Sequence, residues 1–154
     1  MTIQVYLAAP FFTQDQIDTV SYLERVIRAD VDYSLYSPRD DGVLKDMGPA
    51  ERKASLRRTF EKNCREILRS DLMIAVIDSK DTGTVWEMGF ARAFRHVKIV
   101  TYTSSMLQKI NVMLRQAVDG HVTGPDNFKR FVRHYAFGDD ALLDYRHEET
   151  EEVT

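Results

Sequence analysis

A chain of 154 residues, 44% hydrophobic and 29% charged, suits one domain around one sizeable core and is too apolar to stay disordered. Its single cysteine, Cys64, excludes an intramolecular disulfide and a cysteine-rich zinc site, and fits a reducing compartment. A formal net charge of −3 lacks the basic footprint of a nucleic-acid binder, and no run approaches the ~20 apolar residues of a membrane span.

The N-terminal segment runs straight into a strand-like pattern with no basic n-region, so the expected location is the cytoplasm. Charge is uneven. Residues 139–154 carry seven acids against Arg146, a net of −6, so residues 1–138 carry +3 of the total of −3. The division expected is a single α/β domain over 1–138 and an acidic, solvated C-terminal tail over 139–154.

In chain order, residues 3–8 (IQVYLA) read as a strand, followed by a loop through Ala9, Pro10, Phe11 and Phe12. Thr13 can cap a helix over about 14–29, with Ile17, Val20, Leu23 and Ile27 on one face. Residues 33–36 (YSLY) form a short strand, and a polar loop with Pro38, Gly42, Gly48 and Pro49 follows. A long amphipathic helix is predicted over about 51–69, its apolar face made of Leu56, Phe60, Cys64, Ile67 and Leu68. The unbroken apolar run 72–77 (LMIAVI) is expected to be a central parallel strand covered on both faces. A helix over 84–95, a strand over 97–102, a helix over 106–118, a short strand at His121–Val122 and a helix over 126–133 complete the pattern. This alternation predicts a parallel α/β sheet with right-handed crossovers, in a flavodoxin-like or Rossmann-like three-layer sandwich. Ligands in such folds sit at the carboxyl ends of the strands, here the loops after Ala8, Tyr36, Ile77 and Tyr102.

The third of these loops carries the most chemistry. Glu87 lies within the apolar run Val85, Trp86, Met88, Phe90 and Ala91, where an unpartnered carboxylate costs several kcal/mol and so needs donors or a task. The ordinary reading of Thr84-x-x-Glu87 is a capping box, with Glu87 returning to the cap amide. The alternative is a carboxylate nucleophile, held ionised by the helix N-terminus. Asp81 sits in the loop just before it, and two carboxylates near one site can divide labour as nucleophile and acid; for Asp81 the plain alternative is turn chemistry. Tyr6, near the end of the first strand, could donate its hydroxyl to Glu87 or be an ordinary core tyrosine. Phe12 could stack on a flat base or serve in the core or an interface. Asn111 is a polar point between Ile110 and Val112–Met113, and a lone Asn usually caps a helix or is solvated. The four histidines, His96, His121, His134 and His147, have no metal spacing. No GxGxxG follows the first strand and no GxxxxGK[ST] occurs, so neither a metal nor a cofactor is expected.

Five segments resemble one family: VYLAAPFFTQDQ at 5–16, SPRDDG at 37–42, ILRSDLMIAVID at 67–78, DTGTVWEMGFA at 81–91 and INVML at 110–114. Each is weak alone, but in this order they resemble the nucleoside 2-deoxyribosyltransferases, closest to the bacterial type that exchanges purines and pyrimidines. The resemblance implies ping-pong transfer of 2-deoxyribose between a 2-deoxynucleoside and a free nucleobase, in nucleoside salvage and without a metal. It places Glu87 on the nucleophile, Tyr6 on the tyrosine that orients it, and Asp81 on the aspartate that contacts the base and helps move its proton. Phe12 falls on an aromatic lining the base pocket. Asn111 and Met113 fall on the segment that reaches across a subunit interface to a neighbour's sugar. That implies a homo-oligomer, often a hexamer built from dimers, with shared active sites. One departure stands out: where many members carry an aspartate at the sugar or base end of the site, this chain has Asn63, which hydrogen-bonds but cannot titrate. Two other functions fit the same fold. A nucleoside or nucleotide N-glycosidase would use water as acceptor, although the first loop, Ala9-Pro10-Phe11-Phe12, lacks the Ser, Gly or Arg groups that would hold a 5′-phosphate. A non-catalytic nucleoside-binding module would keep the pocket and not need Glu87.

Overall fold

The alternation in the first strand decides the architecture. In the computed structural model, which describes residues 1–41, 48–105 and 110–138, β1 (Ile3–Ala8) sends Val5 and Leu7 to one face of the sheet and Tyr6 and Ala8 to the other, all four buried. The chain continues through α1 (Gln14–Arg28), β2 (Tyr33–Tyr36), a 3-10 turn (Pro38–Asp41), α2 (Pro49–Arg69), β3 (Leu72–Val76), α3 (Thr82–Ala93), β4 (Lys98–Thr103), α4 (Val112–Ala117), β5 (Gly120–Thr123) and α5 (Pro125–Tyr135). The five strands pair in parallel in the order β2-β1-β3-β4-β5.

Two apolar layers flank that sheet. Val20, Leu23 and Ile27 of α1 and Phe128, Phe131 and Val132 of α5 pack with Val5, Leu7, Ile74 and Val100 on one face. Ile67 of α2 and Met88 and Ala91 of α3 pack with Tyr6, Ala8, Met73 and Ile99 on the other. This is the expected three-layer α/β sandwich, and β3 is buried along its whole length, as its unbroken apolar run predicts. The strand order reverses between β1 and β3. Their crossovers leave on opposite faces, and a crevice opens at the carboxyl ends of these two strands.

Local chemistry fixes several ends. Thr13 and Gln16 form a reciprocal capping box at α1: the Thr13 Oγ1 accepts from the Gln16 amide at 3.3 Å, and the Gln16 Oε1 from the Thr13 amide at 3.1 Å. Buried Glu24 on α1 accepts hydrogen bonds from Arg39 Nε at 2.8 Å and from Ser37 Oγ at 2.6 Å, with a further ion pair to the Arg39 guanidinium. Burial alone would raise the Glu24 carboxyl, but the Arg39 and Ser37 hydrogen bonds outweigh it and hold it below the usual range. The pair clamps the turn after β2 onto α1.

Three expectations are corrected. The segment over 38–41 is a 3-10 turn rather than a plain loop. The helix expected over 106–118 is short: residues 106–109 lie outside the described residues, Ile110 makes an isolated bridge, and Asn111 caps a helix that begins at Val112. Of the apolar face expected on α2, only Ile67 is buried; Leu56 and Phe60 remain 51% and 54% exposed, and Leu68 is also exposed. The acidic tail, 139–154, lies outside the described residues. Among those described, no helix is long and apolar enough to cross a membrane.

Phe128 is fully buried and meets the Tyr102 ring edge-on at 5.4 Å between centroids. Phe128→Ala should therefore lower unfolding free energy by about 3–5 kcal/mol, read by urea denaturation. A loss below about 1 kcal/mol would show that this face of the sheet is not the main core.

Candidate active site

The parallel register brings two phenols together. Tyr6 on β1 pairs with Tyr36 on β2, so both side chains emerge on the same face, with ring centroids 5.6 Å apart. Tyr6 is fully buried, and its hydroxyl donates to Glu87 Oε1 across the crevice at 2.7 Å. Burial, the Glu87 charge and this hydrogen bond all push the Tyr6 phenol far above its ordinary range, so it acts as a fixed donor.

Glu87 is not a capping residue. The helix begins at Thr82, and its cap is Asp81, whose Oδ2 accepts from the Thr84 amide at 2.7 Å and from Thr84 Oγ1 at 2.8 Å. This overturns the Thr84–Glu87 capping box. It also removes the expected support of Glu87 by the helix N-terminus, because the first-turn amides lie a turn away. Burial dominates instead. It pushes the Glu87 carboxyl up to about 7, with the Tyr6 hydrogen bond opposing and the Asp81 charge reinforcing the shift. Gly83 gives Asp81 its room: a Cβ there would sit 3.2 Å from the capping Oδ2.

Glu87 opens onto a cleft of about 360 Å³ lined by Phe60, Asn63, Cys64, Gly83 and Trp86. Its walls are mostly apolar, with Phe60 and Trp86 centroids 5.4 Å apart. Burial and the Glu87 charge push the Cys64 thiol up, which keeps it neutral. The Tyr36 hydroxyl is within donating distance of two acceptors, Asn63 Oδ1 at 2.9 Å and Asp41 Oδ2 at 2.6 Å. Lys62 Nζ reaches Asp41 Oδ1 at 2.5 Å. Burial disfavours the charged Asp41, but the Lys62 and Tyr36 hydrogen bonds outweigh it and hold the carboxyl below its ordinary range. Burial and Asp41 push the Tyr36 phenol up.

The structure thus brings Tyr6, Glu87 and Asn63 together at the crevice, while Asp81 is near enough for its charge to act on Glu87 but is engaged as the cap of α3 and does not line the cleft. It leaves three other candidates outside the cleft lining. Phe12 is 75% exposed and stacks on Phe11. Asn111 caps α4 by accepting from the Met113 amide at 2.8 Å, and Met113 is 75% exposed. Sequence reading missed Tyr36, Asp41 and Lys62, and the role of Phe60 and Trp86 as cleft walls. The available signal was a tyrosine at or near the end of each of the first two strands. Among the described residues, no group of three or more His, Cys, Asp or Glu side chains could hold a metal ion.

Residues 5–137 match the sequence profile of the nucleoside 2-deoxyribosyltransferases, and the chain belongs to that family. It is a transferase enzyme whose substrates are nucleosides and nucleobases. Solved structures share its fold. A 2-deoxyribosyltransferase from Bacillus psychrosaccharolyticus has 24% identity and a TM-score of 0.70, over 91% of this chain and 96% of that one. A conserved protein from Enterococcus faecalis gives 18% and 0.68, over 88% and 99%. A CMP N-glycosidase from Clostridium botulinum gives 15% and 0.57, over 86% and 97%. At such identities the likeness is one of fold. No curated protein matches the chain significantly in sequence.

The raised Glu87 carboxyl has a stability consequence. Its ordinary value is 4.5 and its folded value about 7, so the folded protein binds more protons across that window and stability falls as pH rises through it. Glu87→Gln abolishes this titration and keeps an oxygen for Tyr6. The stability of the variant relative to wild type should grow by about 2–3 kcal/mol between about pH 4 and about pH 8, read as melting temperature against pH. A difference that stays flat would mean that Glu87 ionises without cost.

Proposed function

We propose that the protein moves 2-deoxyribose between nucleobases by double displacement, with Glu87 as nucleophile. The observation that carries this reading is the Tyr6–Glu87 hydrogen bond at the floor of an apolar cleft. One Glu87 oxygen is held by the phenol, which leaves the other for C1′ of the sugar. As the Glu87 oxygen bonds to C1′, the C1′–N bond breaks and its electron pair leaves with the base. A proton delivered to the base nitrogen eases departure, a step worth typically ~10²–10⁴-fold. We assign that delivery to Asp81 through Oδ1, since Oδ2 accepts from the Thr84 amide and hydroxyl. A second base then attacks C1′, displaces Glu87 and returns the proton. Two inversions retain the anomeric configuration.

The apolar cleft favours transfer over hydrolysis because water must be kept from the deoxyribosyl ester. A single subunit leaves that cleft open, with Phe60 54% and Trp86 49% exposed. Trp86 continues into a stack with Phe90 and an edge contact to Phe94. Such a stripe suits a second copy of the chain, and a homo-oligomer would bring the exposed Asn111 and Met113 of one subunit toward the sugar in another. Phe12, on the loop after β1, would then cover the base.

Incubation with thymidine and adenine, followed by chromatography, should yield deoxyadenosine and thymine. Free deoxyribose in place of deoxyadenosine would make the protein a hydrolase, and no change would make it a binding module. Glu87→Ala should lose at least ~10³-fold of this exchange, and Tyr6→Phe about 10²-fold, with the far-ultraviolet circular dichroism of both unchanged. Full activity in Glu87→Ala would overturn the nucleophile assignment.

A further inference from the structure

The outer surface of the α1/α5 layer, on the sheet face opposite the cleft, carries a groove of about 330 Å³. Tyr22, Arg25, Val26 and Ala29 line it from one face of α1, at i, i+3, i+4 and i+7. Lys129 and Arg133 line it from α5, one turn apart. Two phenols hold these walls in place. The Tyr22 hydroxyl donates to the Pro125 carbonyl at 2.9 Å, and the buried Tyr33 hydroxyl donates to the Val132 carbonyl at 2.5 Å. Among the described residues, no ion pair engages Arg25, Lys129 or Arg133; Arg25 lies over the Tyr22 ring at 5.5 Å. The one acid in the groove lining, Asp30, accepts from the Asp32 amide at 2.9 Å. The groove therefore has an apolar lining of Val26, Ala29 and Val132, two fixed walls and an excess of positive charge.

We propose that this groove, rimmed by Arg25, Lys129 and Arg133, docks the acidic segment 139–154 of the same chain. Charge complementarity carries the choice of occupant. That segment has a net charge of −6, against +3 for residues 1–138. Its acids are interleaved with Ala141, Leu142, Leu143 and Tyr145, the mixture that an apolar groove with cationic edges takes. Position agrees: Asp139 follows Arg133 by six residues, a reach of at most about 20 Å, so the segment starts beside the α5 wall. Lys129 and Arg133 stand about 6 Å apart along the helix, a row of charge that suits repeated carboxylates better than one small anion. Exposed ion pairs are individually weak. A ligand joined by a short connection is present at an effective concentration of about 1 mM, so pairs too weak to hold a free peptide suffice for this one.

The test is zero-length carbodiimide coupling of the full chain, which joins an amine only to a carboxylate in contact with it. Digestion and mass spectrometry should find Lys129 linked to acids between Asp139 and Glu152. The Lys62–Asp41 pair, 2.5 Å apart, serves as the internal standard. In an equal mixture of isotope-labelled and unlabelled chains, the two peptides of each link should carry the same label. The double variant Arg25→Glu/Arg133→Glu keeps Lys129 and should lower its links to the segment about fivefold or more relative to the standard. Arg25→Gln/Arg133→Gln, which adds no negative charge, should lower them in the same direction. Salt at about 1 M, where the Debye length is about 3 Å, should also lower them in the wild type. No link from Lys129 to the segment while the standard forms would overturn the proposal, as would links that both double variants leave unchanged. Mixed labels in about half of the links would give the groove to the segment of a second copy and overturn the assignment to its own chain.

Discussion

Everything at this site depends on one carboxylate kept where water would not leave it unaided. Glu87 lies on α3 beside apolar neighbours and accepts from the hydroxyl of Tyr6. Burial alone would neutralise the acid; the phenol opposes this, and the outcome is a group poised near neutrality, at about 7. On the transfer reading, such a carboxyl would be ionised often enough to attack and poorly enough solvated to be reactive. The rest of the fold serves that contact. Tyr6 can reach Glu87 because β1 and β3 are neighbours at the point where the strand order reverses, and because the pleat of β1 turns Tyr6 away from Leu7.

The sheet's two faces have different tasks. The α1/α5 side is a closed apolar layer tied by the Glu24–Arg39 pair, and it holds the turn after β2 in place. The α2/α3 side is smaller and incomplete. Leu56, Phe60 and Trp86 stay exposed on an otherwise amphipathic surface, and Phe60 and Trp86 wall the cleft. Rigid support on one side and an open apolar face on the other would let a neighbouring subunit finish the site without disturbing the core.

Much of the fold was legible in the sequence because its signals are local. The alternation of β1, the unbroken run of β3 and the Thr13 cap each declare themselves within a few residues. Glu87 stood out because a charge in an apolar run demands a reason. What could not be read depends on distant pairing. The contact between Tyr6 and Tyr36, and hence the placing of the Asp41 and Asn63 contacts of Tyr36 beside the site, requires β2 to lie beside β1, and no local pattern states that neighbour. The apolar face expected on α2 is mostly exposed, with only Ile67 of that face buried, because periodicity marks a face but does not say what covers it. The cap of α3 was misplaced for a related reason. Asp81 and Thr84 both fit a cap by sequence, and the choice falls to Asp81 because it bonds both the amide and the hydroxyl of Thr84.

The most direct measurement is the covalent state of Glu87 during turnover. The protein would be incubated with thymidine and no acceptor base, quenched in acid, digested and mapped by mass spectrometry. The account predicts a deoxyribosyl adduct on the peptide spanning residues 81–92, with fragmentation placing it on Glu87. An adduct on Asp81, or turnover with no adduct on any carboxylate, would contradict it.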